Sequence, residues 1–191
     1  MIIGVTGRTA DNKIAGAGKS EVCKELQRLL GATCYAFADP VYTMIEAGLG
    51  IDRHQSKSEP IPWLSSDDKE ITLRYLLETL GTEWGKYLVR EDLWAILANR
   101  FVEACQAQYI VIDGVRFKDE AEWIERKGGL IVEVFRPNYL DTSPAAGHPS
   151  NVALDKTYVD WSIVNDRGLK ELRKGVKWFI AHRLQLQLLH G

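Results

Sequence analysis

The sequence predicts an α/β fold, a five-stranded parallel sheet covered by helices on both faces. Two observations carry this reading. Five short apolar runs recur along the chain, each trailed by a segment of helical spacing, as in strands buried on both faces and joined by helical crossovers. A glycine-rich stretch lies between the first run and the first helix, where such folds place a ligand-binding turn.

The elements follow in order. Ile2 to Thr6 is an apolar run bounded by Gly7, read as a buried strand. From Ser20 to Leu30, Val22, Leu26, Leu29 and Leu30 fit a helical face, and Gly31 stops it. Thr33 to Phe37 is the second strand, and Tyr42 to Gly48 a short helix after Pro40. Residues 50–68 are polar, carry Pro60 and Pro62, and read as a loop or mobile flap. Glu70 to Leu80 and Leu93 to Gln106 are helical. Tyr109 to Asp113 is a central strand ending in an acid, and Lys118 to Lys127 a helix stopped by Gly128-Gly129. Leu130 to Phe135 is the fourth strand, broken by Arg136-Pro137. Residues 137–157, with Pro137, Pro144, Gly147 and Pro149, form an irregular excursion. Trp161 to Val164 is the fifth strand, and Leu169 to Leu189 a long final helix.

Composition excludes several function classes. The 191 residues match one domain, with no internal repeat or linker. Lys plus Arg number 24 and Asp plus Glu 26, a net charge of −2, which argues against a nucleic-acid coat or a basic membrane binder. No apolar run reaches the ~18 residues of a membrane span. The N-terminal residues read as a strand rather than a signal peptide. Cys23, Cys34 and Cys105 are scattered, as expected for reduced thiols in a cytoplasm, and the four histidines have no metal-ligand spacing.

In a parallel sheet the residues after each strand carry the chemistry. After strand one, Gly16-Ala17-Gly18-Lys19-Ser20 reads as a phosphate-binding loop. Its glycines let backbone N–H groups turn onto phosphate oxygens at a helix N-terminus. Lys19 would reach the β- and γ-phosphates of ATP, and the Ser20 hydroxyl would ligate Mg²⁺. The strict spacing puts Lys13 where a glycine belongs. Gly7 is the better first glycine, at the turn out of strand one, which leaves residues 9–14 as an insertion projecting from the loop. Asp113, ending strand three, is the candidate acid for the metal, with a turn or helix cap as its bland alternative. Arg74, Arg116 and Arg136 could converge on the strand ends, where phosphoryl transfer gathers negative charge. Asp39 either accepts hydrogen bonds from a substrate sugar or base, or caps the helix at Pro40. Trp63, Trp84 and Trp94 are candidate stacking surfaces for a base, with core packing as the alternative.

Taken together, these segments resemble the phage-type deoxynucleoside monophosphate kinases of the P-loop kinase superfamily. The matching stretches are Ile2 to Gly7 with Gly16 to Ser20, Phe37 to Pro40, Arg74 to Gly85, Asp113 to Phe117 with Asp119 to Glu122, Gly128-Gly129, Val134 to Pro137, and Ile163 to Asp166. Leu80-Gly81-Thr82-Glu83-Trp84-Gly85 and Val115-Arg116-Phe117 are the most specific. The resemblance implies a three-layer P-loop kinase fold with an acceptor-nucleotide region at about 39–90 and a small lid at about 137–157. It implies transfer of the γ-phosphate of ATP to a deoxynucleoside monophosphate, with Mg²⁺. Lys19, Arg116 and Arg136 would be catalytic, Arg136 at the lid hinge. Glu21 would join the phosphate loop, and Asn165 and Asp166 would border the adenine of ATP. Asp39, Arg74, Trp84, Asp113, Arg116 and Glu120 would face the acceptor.

The chain also departs from the family pattern. Tyr42 stands where a lysine is frequent, Glu78 where a glutamine is, and Lys86 where an arginine is. The lid reads His148-Pro149-Ser150-Asn151 without its usual acid, and Lys156 is the only lysine or arginine in the excursion. Two other readings compete. A dephospho-coenzyme A kinase shares the phosphate loop, and a non-catalytic nucleotide-binding module would need no acceptor pocket. The expected setting is the cytoplasm, that of the host if a phage encodes the chain, with a homodimer left open.

Overall fold

The computed structural model describes residues 1–142 and 147–184. Its five strands are β1 (Ile2–Thr9), β2 (Thr33–Ala36), β3 (Ile110–Asp113), β4 (Leu130–Arg136) and β5 (Trp161–Val164). They form one parallel sheet in the order β2-β3-β1-β4-β5. The helices are α1 (Lys19–Leu30), α2 (Asp39–Leu49), α3 (Leu73–Glu78), α4 (Leu93–Ala104), α5 (Lys118–Arg126) and α6 (Leu169–Phe179). The period of two along each strand divides the core between the sheet's faces. Ile2, Ile110, Ile112 and Ile131 point to one side, where α2 to α5 add Val41, Leu73, Trp94 and Ile124. Ile3, Val111 and Val132 point to the other, where α1 and α6 add Leu26, Val176 and Phe179.

The structure changes four of the sequence readings. β1 does not end at Thr6. It continues through Gly7, Arg8 and Thr9, which pair with Val134, Phe135 and Arg136. Gly7 therefore makes no turn and has no positive φ. Its missing side chain serves contact instead, since a Cβ there would lie 2.8 Å from Ile14 O and 2.9 Å from Ala17 Cβ.

Residues 9–14 do not project. Thr9 N–H closes a tight turn on Lys13 O at 2.8 Å, and Asn12 takes the left-handed conformation the turn needs (φ 61°). The segment is then stitched to the excursion after β4. Ala10 N–H donates to Tyr139 O (3.1 Å), Ile14 N–H to Asn151 O (3.0 Å) and Ala153 N–H to Asn12 O (3.0 Å). Asp11 Oδ2 accepts from Asp141 N–H at 3.1 Å. Beneath them the buried Arg8 guanidinium binds Glu133 (2.5 Å), Leu154 O (2.6 Å) and Asn12. Ile14 is fully buried.

Nor are residues 50–68 a free flap. Ile51 and Ile61 sit in the core, and Ile61 N–H donates to Ile71 O at 2.7 Å. Finally, helix continues past α3 in a wide-turned π segment, Thr79–Val89, beyond the Leu80 end expected from the sequence. Gly85 lets the Trp94 indole pack into that segment, for a Cβ there would meet Trp94 Cζ2 at 2.2 Å. Trp94 Nε1 donates to Gly81 O at 2.7 Å. A second wide-turned stretch, Ile180–Leu184, follows α6, and residues 185–189 of the expected final helix lie outside the described residues. So do residues 143–146 of the excursion.

Candidate active site

A cleft of about 410 Å³ opens at the carboxyl ends of β1, β2 and β3. Its floor is the phosphate loop. Gly16 (φ 77°) and Gly18 (φ 104°) hold left-handed conformations there, and α1 starts at Lys19. Two residues from distant elements prop the loop. Asn165, just after β5, donates Nδ2 to Ala17 O at 2.9 Å and occupies the space a Cβ on Gly18 would take. Arg136, ending β4, donates to Gly16 O at 2.9 Å with its guanidinium over the Tyr139 ring, and that ring lies against Gly16. Asp166 is exposed beside Arg167, and Glu21 pairs with Lys24 at 2.9 Å. Arg136, Asn165, Asp166 and Glu21 all stand outside the cleft wall.

Lys19 reaches from the loop into the cleft and donates Nζ to Ile14 O at 2.9 Å. Burial lowers its pKa from the ordinary lysine value to about 8. Arg116 adds to that, and Asp113 opposes it. Asp113 and Ser20 line the same floor. Oδ1 of Asp113 is buried with no hydrogen-bond partner among the described residues. A buried carboxylate oxygen with no donor among the described residues, in the same cleft as a hydroxyl on the second residue of α1, suits a hard cation such as Mg²⁺.

The rest of the cleft is a slot between α2 and α3. Phe37, Val41 and Tyr42 form one wall, and Leu77, Gly81 and Thr82 the other, with Trp94 and Phe117 at the end. Arg74 and Glu78, four residues apart on α3, face the slot together. Neither side chain forms a hydrogen bond or close ion pair among the described residues. Burial raises the Glu78 pKa against the pull of His148, Arg74 and Arg116. Arg116 comes from the turn after β3 and donates to Ser150 O at 2.9 Å.

Glu120 closes the floor of the slot. Its Oε2 accepts the Arg116 and Phe117 N–H groups at 2.8 and 3.2 Å, which caps α5. Its second oxygen is left to the cleft. Burial pushes its pKa up to about 7, opposed by nearby Lys86. Lys86 is buried against Asp119 at 2.7 Å.

Lys19, Ser20, Arg74, Asp113, Arg116 and Glu120 thus share one cleft with Gly16, and Ala17 and Gly18 lie directly beneath. Besides Arg136, Asn165, Asp166 and Glu21, three further sequence candidates stand apart, among them the exposed Trp63. Trp84 is exposed outside the wall, and Trp94 holds the cleft position instead. Asp39 does not cap its helix or line the slot. Its carboxylate accepts Ala36 N–H at 2.7 Å and faces Arg53 at 3.5 Å. Sequence reasoning missed Lys57, whose ammonium lies 5.4 Å from the Tyr42 ring centroid, and it treated Glu78 only as a departure. A lone cation in a polar loop gives no periodic signal. The spacing of Glu78 from Arg74 and Leu77 on one helical face does.

A family model for deoxynucleotide monophosphate kinase matches residues 53–176. The chain is 28% identical over 140 residues to the deoxynucleoside-5'-monophosphate kinase of Escherichia phage T5, an alignment covering 67% of this chain and 55% of that enzyme's length. It is 26% identical over 171 residues to a protein of Acanthamoeba polyphaga mimivirus described as a deoxynucleotide monophosphate kinase, covering 82% of this chain and 86% of that one. Among solved structures, shikimate kinase from Aquifex aeolicus superposes with a TM-score of 0.52 at 14% identity over 96% of this chain and 98% of its own, which shows a common P-loop kinase fold.

Proposed function

Because the chain belongs to the deoxynucleotide monophosphate kinase family, we propose that it transfers the γ-phosphate of ATP to a deoxynucleoside monophosphate, giving ADP and a deoxynucleoside diphosphate. One observation carries the reading. The cleft joins a phosphate loop to a second, aromatic-lined slot whose Arg74 guanidinium forms no hydrogen bond or close ion pair among the described residues. A switch module has no use for that slot.

The donor's β- and γ-phosphates lie along the N–H groups of Gly16 to Ser20. Lys19 leaves Ile14 O to bind them. Arg74 and Arg116 hold the acceptor phosphate as planar forks. An acceptor phosphate oxygen then forms a bond to the γ-phosphorus as the bond from phosphorus to the bridging oxygen of ADP breaks. Charge gathers on the three equatorial oxygens, where Lys19 and Arg116 stand. Ser20 and Asp113 would hold Mg²⁺, which supplies charge neutralisation on the phosphate oxygens when bound. Arg136 and Asn165 keep Gly16 and Ala17 in place. Asn165 and Asp166 bordering the adenine remains part of the proposal.

The acceptor region at about 39–90 and the lid at about 137–157 are the parts that complete the slot. No helix among the described residues is long and apolar enough to cross a membrane. Incubation with ATP, Mg²⁺ and each deoxynucleoside monophosphate, followed by separation of products, tests the reading. ADP and a deoxynucleoside diphosphate are expected in equal amounts. ADP without the second product, or neither, overturns it.

A further inference from the structure

The polar groups of the slot are distributed unevenly along its length. The cations that line it are Lys19, Lys57, Arg74 and Arg116. Lys19 and Arg116 stand at the phosphate-loop end, and Arg116 reaches across to Ser150 O. Along α3 and its wide-turned continuation, Arg74 is followed one turn later by Glu78 and another turn later by Thr82. The slot lining therefore carries guanidinium, carboxyl and hydroxyl at successive turns of one helix. Glu120 meets this series from α5, and Trp94 and Phe117 supply the apolar end.

Neither carboxyl is used up by the protein. Glu78 makes no hydrogen bond among the described residues. Glu120 spends one oxygen on backbone N–H groups and keeps the other. Lys86 lies near this end but is buried against Asp119 and Glu91 O, so it offers the slot no donor.

We propose that Glu78, with Glu120, selects the acceptor by its base, favouring bases that carry an exocyclic amino group and disfavouring thymine. This rests on the phosphoryl-transfer reading, which puts the acceptor phosphate at the arginines and its base in the apolar half of the slot. The chemistry is a count of donors and acceptors. An ionised carboxylate only accepts, and Glu78 carries the selection, because Glu120 also donates when it holds its proton. Guanine offers two adjacent donors, N1–H and N2–H, which match the two oxygens of one carboxylate. Adenine and cytosine each offer an amino group. Thymine has one N–H flanked by two carbonyls, so a carboxylate placed there faces like partners. A site built to accept hydrogen bonds disfavours a ligand whose single donor is flanked by acceptors. Glutamine at this position would face either kind of edge, since its amide both donates and accepts. A glutamate rather than an amide here would thus narrow the substrate range.

The test compares kcat/KM for dGMP, dAMP, dCMP and dTMP in the wild-type protein and in Glu78→Gln, at fixed saturating ATP. The expected result is a wild-type value for dTMP at least tenfold below that of the best amino-bearing nucleotide. Glu78→Gln should narrow this ratio about tenfold, with no matching change in KM for ATP. A wild-type protein that uses dTMP as well as the others overturns the proposal, as does a ratio that Glu78→Gln leaves unchanged. If no nucleotide is phosphorylated, the kinase reading fails, and equilibrium binding of the same four nucleotides, followed by tryptophan fluorescence, decides this proposal. The same ranking upholds it, and equal affinities sink it.

Discussion

Lys19 is charged when its cleft is filled and costly to charge when it is empty. With its pKa lowered to about 8 by burial, the free protein bears that cost in full below pH 8. The cost fades as pH rises from 8 to the ordinary lysine value, so free-protein stability gains over that window. Triphosphate restores the ammonium. ATP binding is therefore expected to take up close to one proton at pH 9 and almost none at pH 6. Calorimetry in buffers of different ionisation enthalpy measures this, and Lys19→Met should abolish the uptake. Glu120 has the opposite sign. Its folded pKa of about 7 lies above the ordinary glutamate value, so the folded state holds its proton longer than the unfolded chain does. Its ionisation lowers stability as pH rises from about 4.5 to 7, and the loss is complete above 7. Glu120→Gln should remove a pH-dependent loss on the order of 2–3 kcal/mol, read as the difference between wild-type and variant denaturation at pH 5 and pH 8. These two residues were legible in the sequence for different reasons. Lys19 sits in a loop whose spacing names its role. Glu120 came only through the resemblance, because nothing in a local pattern says that a helix-capping acid also floors a cleft.

The wide-turned stretch after α3 shows why element boundaries were harder to read than element positions. Gly81 and Gly85 look like helix breakers, yet Gly85 admits the Trp94 ring, Gly81 O accepts the Trp94 indole N–H, and the chain keeps coiling around it. That packing is tertiary and leaves no mark on the local periodicity. Gly85→Ala should then strain the Trp94 contact and cost about 1–3 kcal/mol. It should also raise KM for the acceptor more than for ATP, since Trp94 lines the acceptor end. Steady-state kinetics beside chemical denaturation would separate the two effects. The extension of β1 was missed for a related reason. Arg8 is a charged residue after an apolar run and reads as a strand end, whereas Glu133 on the neighbouring strand neutralises it in the interior. Arg8→Met leaves Glu133 buried without its partner and should destabilise by about 3–5 kcal/mol. The double variant Arg8→Met with Glu133→Met should recover part of that loss. Equal stability of the single variant and the wild type would show that the pair is not holding the arm.

At the scale of the molecule, the five strands and the alternation of core residues between two faces followed from apolar runs of the right length. Strand order did not, because each run is compatible with several neighbours. The cleft follows from the order, with β1 between β3 and β4 so that the phosphate loop faces Asp113. The molecule should tighten as this cleft fills. ATP and a deoxynucleoside monophosphate at about 100 times their dissociation constants should each add about 2.7 kcal/mol, or roughly 5–10 °C in Tm. Thermal shifts with either nucleotide alone and with both would show whether the two chambers are filled independently. One further consequence comes from the stitched arm. Asn151 O receives Ile14 N–H, and Asn151 Oδ1 receives Ala15 N–H, so the wall over the slot hangs from the threshold of the phosphate loop itself. An outward swing of residues 148–154 must tug on Ile14 and Ala15, and through them on the cradle that grips the donor. Door and grip share a hinge, so under the phosphoryl-transfer reading any movement that opened an exit for the products would also slacken the hold on ADP.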